Sequence, residues 1–324
     1  MDKDLKAEAK GAFLSKYQIG SGNVRGTERI ILHTQGGFVD LSGLLGEDDL
    51  QEELSIEDAP GSLLQMIRRW DFWEEKLSDI VEYVADRGES TAVQYEVDEA
   101  DIRWLPPLMY PSKLICIGSN YTDHVEEMGF VPEQEFPYSF LKPATNTLIG
   151  HRETVRLPER AEMIDWEVEL AVIMGRTAKN VRGEEAMASI AGYTLFNDVS
   201  ARDWVEDRTF MGFDWIMLKA FDTSGPMGPM ITPARFVPDP QSLGVSLSVS
   251  GETKQDSHTS RMIFSVQALV EHLSDFMTLE PGDVIATGSP AGVGFGMKPP
   301  QFLKSGDVMV AEIESLGRLE NPVG

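Results

Sequence analysis

The chain has one cysteine, Cys116, among its 324 residues. That excludes an internal disulfide and any metal site built on cysteines. Cys116 sits in the apolar run 114–117 (LICI), where a buried, inert thiol is expected rather than a nucleophile. A chain without disulfides is expected in a reducing, cytoplasmic setting. Cations are also scarce. Lys and Arg number 28 against 53 Asp and Glu, for a net charge of −25. Such a balance argues against nucleic acid and anionic membranes as partners. Much of the excess lies in ordinary solvated stretches such as 47–57 (EDDLQEELSIE). No apolar run is long enough to cross a bilayer. The opening MDKDLK lacks the apolar core of a signal peptide. Histidines number only 5, so each can be weighed singly.

Against these shortages stands a local abundance of carboxylate. Residues 161–175 read AEMIDWEVELAVIMG. If they form one strand, Asp165, Glu167 and Glu169 share a face. Like charges at that spacing repel unless something positive sits among them. Two readings follow: a divalent metal with oxygen ligands, or an edge strand with its acidic face in water. The apolar continuation LAVIMG carries the strand toward a core and favours the metal.

Along the chain, 29–45 reads as strand, Gly-Gly turn, strand, and 62–84 carries apolar residues at helical spacing. The stiff segment WLPPLMY (104–110) is the expected boundary between a small N-terminal domain, 1–105, and a larger one, 106–324. Beyond a buried strand at 113–118 come His124 and Glu127, three apart and on one side of a helical turn. A carboxylate beside an imidazole raises its pKa and orients it, as a general base requires; a surface histidine near acid is the plainer alternative. The loop 129–137 reads as mobile, and a base-bearing turn joined to it suggests a lid. Lys142 is placed to meet an anion or to be solvated. Asp198, ending an apolar strand, is placed as a third oxygen ligand or as a helix cap. Arg202 could pair with Asp203 or Asp207, or bind a substrate carboxylate. Lys219 precedes a Gly/Pro cluster. The glycines of 287–296 match neither the P-loop nor the dinucleotide fingerprint, and support only backbone amides near an anion.

Six segments, in order, resemble the fumarylacetoacetate hydrolase family: KLICIGSNYTDHVEEMG, FLKP, IDWEVELAVIMGR, GYTLFNDVSARD, KAFDTSGPMGP and LEPGDVIATGSPAGVG. They span about two-thirds of the chain. The resemblance implies a mixed α/β, β-rich fold, with a β-roll catalytic domain following a small α+β N-terminal domain. It implies Mg²⁺ or Mn²⁺ held by Glu167, Glu169 and Asp198, a base dyad of His124 and Glu127 on a lid, and Lys219 binding substrate oxygens. Tyr121, Lys142, Arg202 and Thr287 would contact substrate, and Asp165 would play a supporting part. The expected activity is hydrolysis of a C–C bond in a 2,4-dioxo acid of the acylpyruvate type, through an enolate. Decarboxylation, isomerisation or lyase chemistry on a 2-oxo acid at the same site is the alternative, and a non-catalytic metal scaffold the remote one. A homodimer acting in aromatic or sugar-acid catabolism is expected on the same ground. One departure stands out: many relatives carry Gln where this chain has Val205. TGSP in place of the commoner TGTP is a milder one.

Overall fold

The strand Val168–Met174 is buried along its whole length, so both of its faces need apolar cover. Val168, Leu170, Val172 and Met174 enter one core, and Ala171 and Ile173 enter a second on the opposite face. In the computed structural model, which describes residues 16–86, 92–129, 131, 134–204 and 214–324, this strand lies inside a sheet of 12 strands. Ten follow one path, Glu96–Val97, Gly37–Asp40, Thr27–Thr34, Gln18–Val24, Gly225–Pro233, Ile190–Asn197, Val168–Met174, Val284–Ala286, Leu114–Gly118 and Tyr138–Leu141, while Ile102–Trp104 pairs with Gln18–Val24 and Leu148–Ile149 with Gly225–Pro233 off that path. The architecture is thus mixed α/β and rich in sheet. Gln18–Val24 pairs directly with Gly225–Pro233, so the sheet runs unbroken from the N-terminal region into the rest of the molecule.

The first core is closed by a four-stranded sheet, Glu252–His258, Gly244–Val249, Val308–Ile313 and Gly317–Pro322. Its strands alternate as the sequence pattern requires, with Val245, Leu247, Val249, Met309, Ala311 and Ile313 turned inward. The helix Val266–Phe276 adds Leu269, Val270 and Leu273 and is capped by Ser265, which accepts from Ala268 N. The second core is filled by helix Trp70–Asp86, whose Trp70, Trp73, Leu77 and Ile80 recur at helical spacing. Fully burying a large apolar side chain contributes roughly 1.5–3 kcal/mol. Two such cores can offset a costly polar site between them.

Two expectations change in detail. The 62–84 helix is two, Leu63–Ile67 and Trp70–Asp86. The second strand of the early hairpin stops at Asp40, whose carboxylate accepts from Gly43 N and starts a short helix in its place.

The carboxylate stretch is not one strand either. Ile164–Asp165 and Val168–Met174 are separate strands, and Trp166 and Glu167 leave the ladder between them. Side chains take over the backbone bonding there. Asp165 accepts from Trp166 N, Asn197 from Glu167 N, and Gln255 from Val168 N. Alternation nevertheless continues across the break: Ile164, Trp166, Val168 and Leu170 all enter the first core, and Asp165, Glu167 and Glu169 stay out of it. Because Val168 lies opposite Asn197 in an antiparallel pair, Glu167 and Asp198 arrive at the same end of adjacent strands.

Candidate active site

Glu167, Glu169 and Asp198 are buried, and each offers an oxygen within 4.8 Å of the others. Around them lie three cations. Lys219 donates to Glu167 and to Asp198, both at 2.7 Å. Lys142, 2% exposed, donates to Asp198 Oδ1 at 2.7 Å. Arg202 bonds Asp165 at 3.0 Å and also Glu167. So among the described residues Arg202 pairs with Asp165 and Glu167 and not with Asp203, while Asp207 lies outside the described residues; Arg202 is the positive partner of Asp165, which the sequence did not supply.

The charges do not balance. Asp165, Glu167, Glu169 and Asp198 face Lys142, Arg202 and Lys219, and Glu169 is the carboxylate with no cation among the described residues. It is 1% exposed and accepts from Gly288 N at 2.8 Å. Burial, then repulsion from Asp198 and Glu167, raises its pKa well above the usual carboxylate range. Burial alone would raise Glu167 too, but Lys219 and Arg202 outweigh it and hold Glu167 down to about 2. Burial opposes the charge on Lys219, and Asp198 and Glu167 reverse that, leaving it raised. A divalent cation beside Glu169 would supply the positive partner that Glu169 lacks, and three hard oxygen donors suit one.

A cavity of about 600 Å³ opens onto this cluster. Glu167, Asp198, Arg202 and Lys219 are at its polar end, and Phe140, Trp215, Leu218 and Phe295 are among its apolar walls. His124 lines it too, carried by helix Thr122–Glu127. His124 Nδ1 lies 3.7 Å from Glu127 Oε2, on the same side of the helix as expected but beyond hydrogen-bond reach. That nitrogen is buried and has no hydrogen-bond partner among the described residues. Glu127 instead accepts from Gly292 N, with both oxygens at 3.1 Å.

The 288–296 loop therefore does turn its amides toward anions, but the anions are the chain's own. Gly288 N serves Glu169, Gly292 N serves Glu127, and Gly294 N and Phe295 N serve Asp165. The glycines allow the approach. A Cβ on Gly292 would lie 2.0 Å from Lys254 O, and one on Gly296 2.5 Å from Glu127 Cδ.

Residues 113–324 match the family model described as fumarylacetoacetate (FAA) hydrolase, C-terminal. The chain belongs to the fumarylacetoacetate hydrolase family. A mitochondrial oxaloacetate tautomerase of Xenopus laevis is 43% identical over 230 residues, 71% of each chain. A fumarylacetoacetate hydrolase from Exiguobacterium antarcticum shares the fold with a TM-score of 0.75 at 31% identity, over 95% of this chain and 99% of that one. A fumarylpyruvate hydrolase from Pseudomonas aeruginosa, solved with Mn²⁺ and pyruvate, aligns with a TM-score of 0.59 at 34% identity, over 65% of this chain and 88% of that one. The family is one of enzymes, and its Mn²⁺-bound member accords with a divalent cation at the buried acidic triad here.

Within this family member, the residues named from sequence are divided by the cavity, with Glu127 and Glu169 held by the 288–296 loop and not among its lining residues. His124, Glu167, Asp198, Arg202 and Lys219 line the cavity. Lys142, Tyr121 and Thr287 lie behind its wall. Lys142 is committed to Asp198 and Val199 O, and the Thr287 hydroxyl donates to Leu170 O at 2.9 Å. Tyr121 is fully buried, and its hydroxyl has no partner. Val205 lies outside the described residues. The aromatic lining of Tyr138, Phe140 and Trp215 is missing from the sequence reading. Its one sequence signal is Trp215, four residues before Lys219 on a helical face.

Proposed function

We propose that this protein moves a proton between carbon and oxygen of a 2-oxo acid, interconverting its keto and enol forms. The observation that carries the reading is one imidazole, His124, sharing a largely apolar cavity with Lys219, Arg202 and two of the triad carboxylates, Glu167 and Asp198. Tautomerisation needs a base and a place for negative charge on oxygen, and no water. The likeness to the oxaloacetate tautomerase from Xenopus laevis supports the choice of reaction.

A divalent cation on Glu167, Glu169 and Asp198, Mg²⁺ or Mn²⁺, would supply Lewis-acid polarisation of the 2-oxo group. The protein's own part begins at His124, which takes the proton from C3. The C3–H electron pair becomes the C2–C3 π bond, and the C2–O π pair moves onto oxygen. The fixed charges of Lys219 and Arg202 lower the cost of that oxygen's charge. Glu127 Oε2 lies 3.7 Å from the His124 ring, which then returns the proton to oxygen.

Hydrolysis of a 2,4-dioxo acid is the second reading. The 600 Å³ cavity favours it, being roomy for a four-carbon acid, as does the likeness to fumarylpyruvate hydrolase. There, water deprotonated by His124 adds to the C4 carbonyl, the C3–C4 bond breaks, and its electrons form the enolate of pyruvate. Mixing the Mn²⁺-loaded protein with enol-oxaloacetate, and separately with acetylpyruvate, decides between them. Faster decay of the enol absorbance supports tautomerisation. Pyruvate and acetate without any effect on the enol would move the assignment to hydrolysis, and inertness toward both would end both.

The same reading takes a small 2-oxo acid as the ligand. It includes a cytoplasmic homodimer of the 36.0 kDa chain, which sedimentation velocity would test. The 105/106 division is proposed as the start of the site-bearing part, and the family match over 113–324 supports it.

A further inference from the structure

Lys219 sits at the end of helix Trp215–Lys219, and Trp215 begins it. Residues four apart on a helix lie one above the other, with Cβ atoms about 6 Å apart. Both line the cavity, Lys219 at the carboxylates and Trp215 one turn toward the mouth. Around Trp215 stands an aromatic wall. Phe140 stacks on it with ring centroids 4.3 Å apart and planes 13° apart, and Tyr138 leans against it at 5.4 Å. The indole N–H donates to the Tyr138 hydroxyl at 3.0 Å. The polar atom of the indole is thus used inside the wall, and ring surface is what the wall presents. Tyr138 is 48% exposed.

We infer that Tyr138, Phe140 and Trp215 form a subsite for a planar, uncharged substituent carried on the far side of C3 of a 2-oxo acid. This rests on the reading of the site as a 2-oxo acid site, and names the substrate class for it. An acid anchored at Lys219 has its C3 substituent one helical turn away, against the rings. Aromatic stacking and the burial of open apolar surface then add to binding. Among the described lining residues, a second carboxylate at that position would meet no further Lys or Arg. Lys219 and Arg202 are the Lys and Arg side chains among the described lining residues, and both are bonded to carboxylates at the polar end. A charge desolvated against rings without a partner is disfavoured. The cavity, at about 600 Å³, lies in the range of pockets that hold drug-sized ligands.

Calorimetric titration of the Mn²⁺-loaded protein with pyruvate, phenylpyruvate and 2-oxoglutarate tests this without reliance on turnover. Phenylpyruvate is expected to bind about tenfold or more tightly than either of the others. Trp215→Ala should abolish that ranking and Trp215→Phe should keep most of it, with Mn²⁺ affinity as the check on folding. Equal affinities for pyruvate and phenylpyruvate, a preference for 2-oxoglutarate, or a ranking that survives Trp215→Ala would each overturn the subsite. Binding of all three acids without ranking sinks the subsite alone. Binding of none sinks the 2-oxo acid reading, and the subsite with it.

Discussion

Glu169 shows most directly what its surroundings do to a single residue. It is buried beside two other carboxylates and has a backbone amide where they have cations. Replacing it with Gln keeps an acceptor for Gly288 N and removes the repulsion. Glu169→Gln should therefore melt higher than the parent in chelator, yet gain nothing from added Mg²⁺ or Mn²⁺. A thermal scan in both conditions checks this. His124→Ala should behave in the opposite way, retaining the metal-dependent rise and losing about 10²–10⁴-fold in turnover. Full activity in that variant would remove His124 from its role. Asp165→Ala leaves Arg202 with half of its partners and frees two loop amides. Breaking a buried ion pair on one side costs on the order of 3–5 kcal/mol, which urea unfolding would show. At this scale much was legible. Carboxylates close in sequence beside an apolar run, and an acid at the end of the next apolar strand, point to one centre. Arg202 as the partner of Asp165 was not, because 37 residues of chain separate them.

At the scale of elements, a break in a strand sets the geometry. Asp165 and Glu167 share Arg202, and Glu167 and Glu169 belong to one carboxylate group, although 164–174 is not one regular strand. The ladder is interrupted at Trp166 and Glu167: Asn197 accepts from Glu167 N, and Gln255 accepts from Val168 N where the second strand begins. Periodicity in the sequence cannot show such a break, since the residues that replace the ladder come from other strands. The 288–296 loop is similar. Its glycines announce close approach, but the approaching groups are Glu127 and Asp165, from distant segments. Gly296→Ala places a methyl 2.5 Å from Glu127 Cδ and should push that carboxylate from Gly292 N. Hydrogen exchange at the Gly292 amide should then quicken, while exchange in Val168–Met174 stays as before.

For the whole molecule, the stability curve carries a pH signature outside the site. Burial first, and then the charge of Arg152, lower His151 from 6.5 to about 4. Its Nδ1 accepts from Glu320 N at 3.0 Å, which requires the neutral ring on that side. Between those two values the unfolded chain binds the proton and the folded one does not. Stability from this group is thus complete above about 6.5 and falls as pH drops toward 4. Urea midpoints from pH 7 to 4 should decline, and His151→Asn should flatten the decline. Burial lowers His33 as well, so a residual slope of the same sign remains. A bound divalent cation acts on the same curve: at 100 times its Kd it adds about 2.7 kcal/mol, a rise of several degrees in Tm.

By itself the sequence determined the chemistry available and the family. It contains the carboxylates, the His124–Glu127 spacing, the lysines, and six ordered segments that lead to the fumarylacetoacetate hydrolase family. Its alternating and helical apolar patterns also carried most of the sheet and the long helices. Only the tertiary structure decided which charge answers which. Lys142 and Thr287 withdrew behind the wall, Arg202 went to Asp165 and Glu167, and Glu169 was left with an amide. The reason is physical. In a buried site the energy of a charge depends on groups within a few ångströms, and the fold brings those groups from far along the chain.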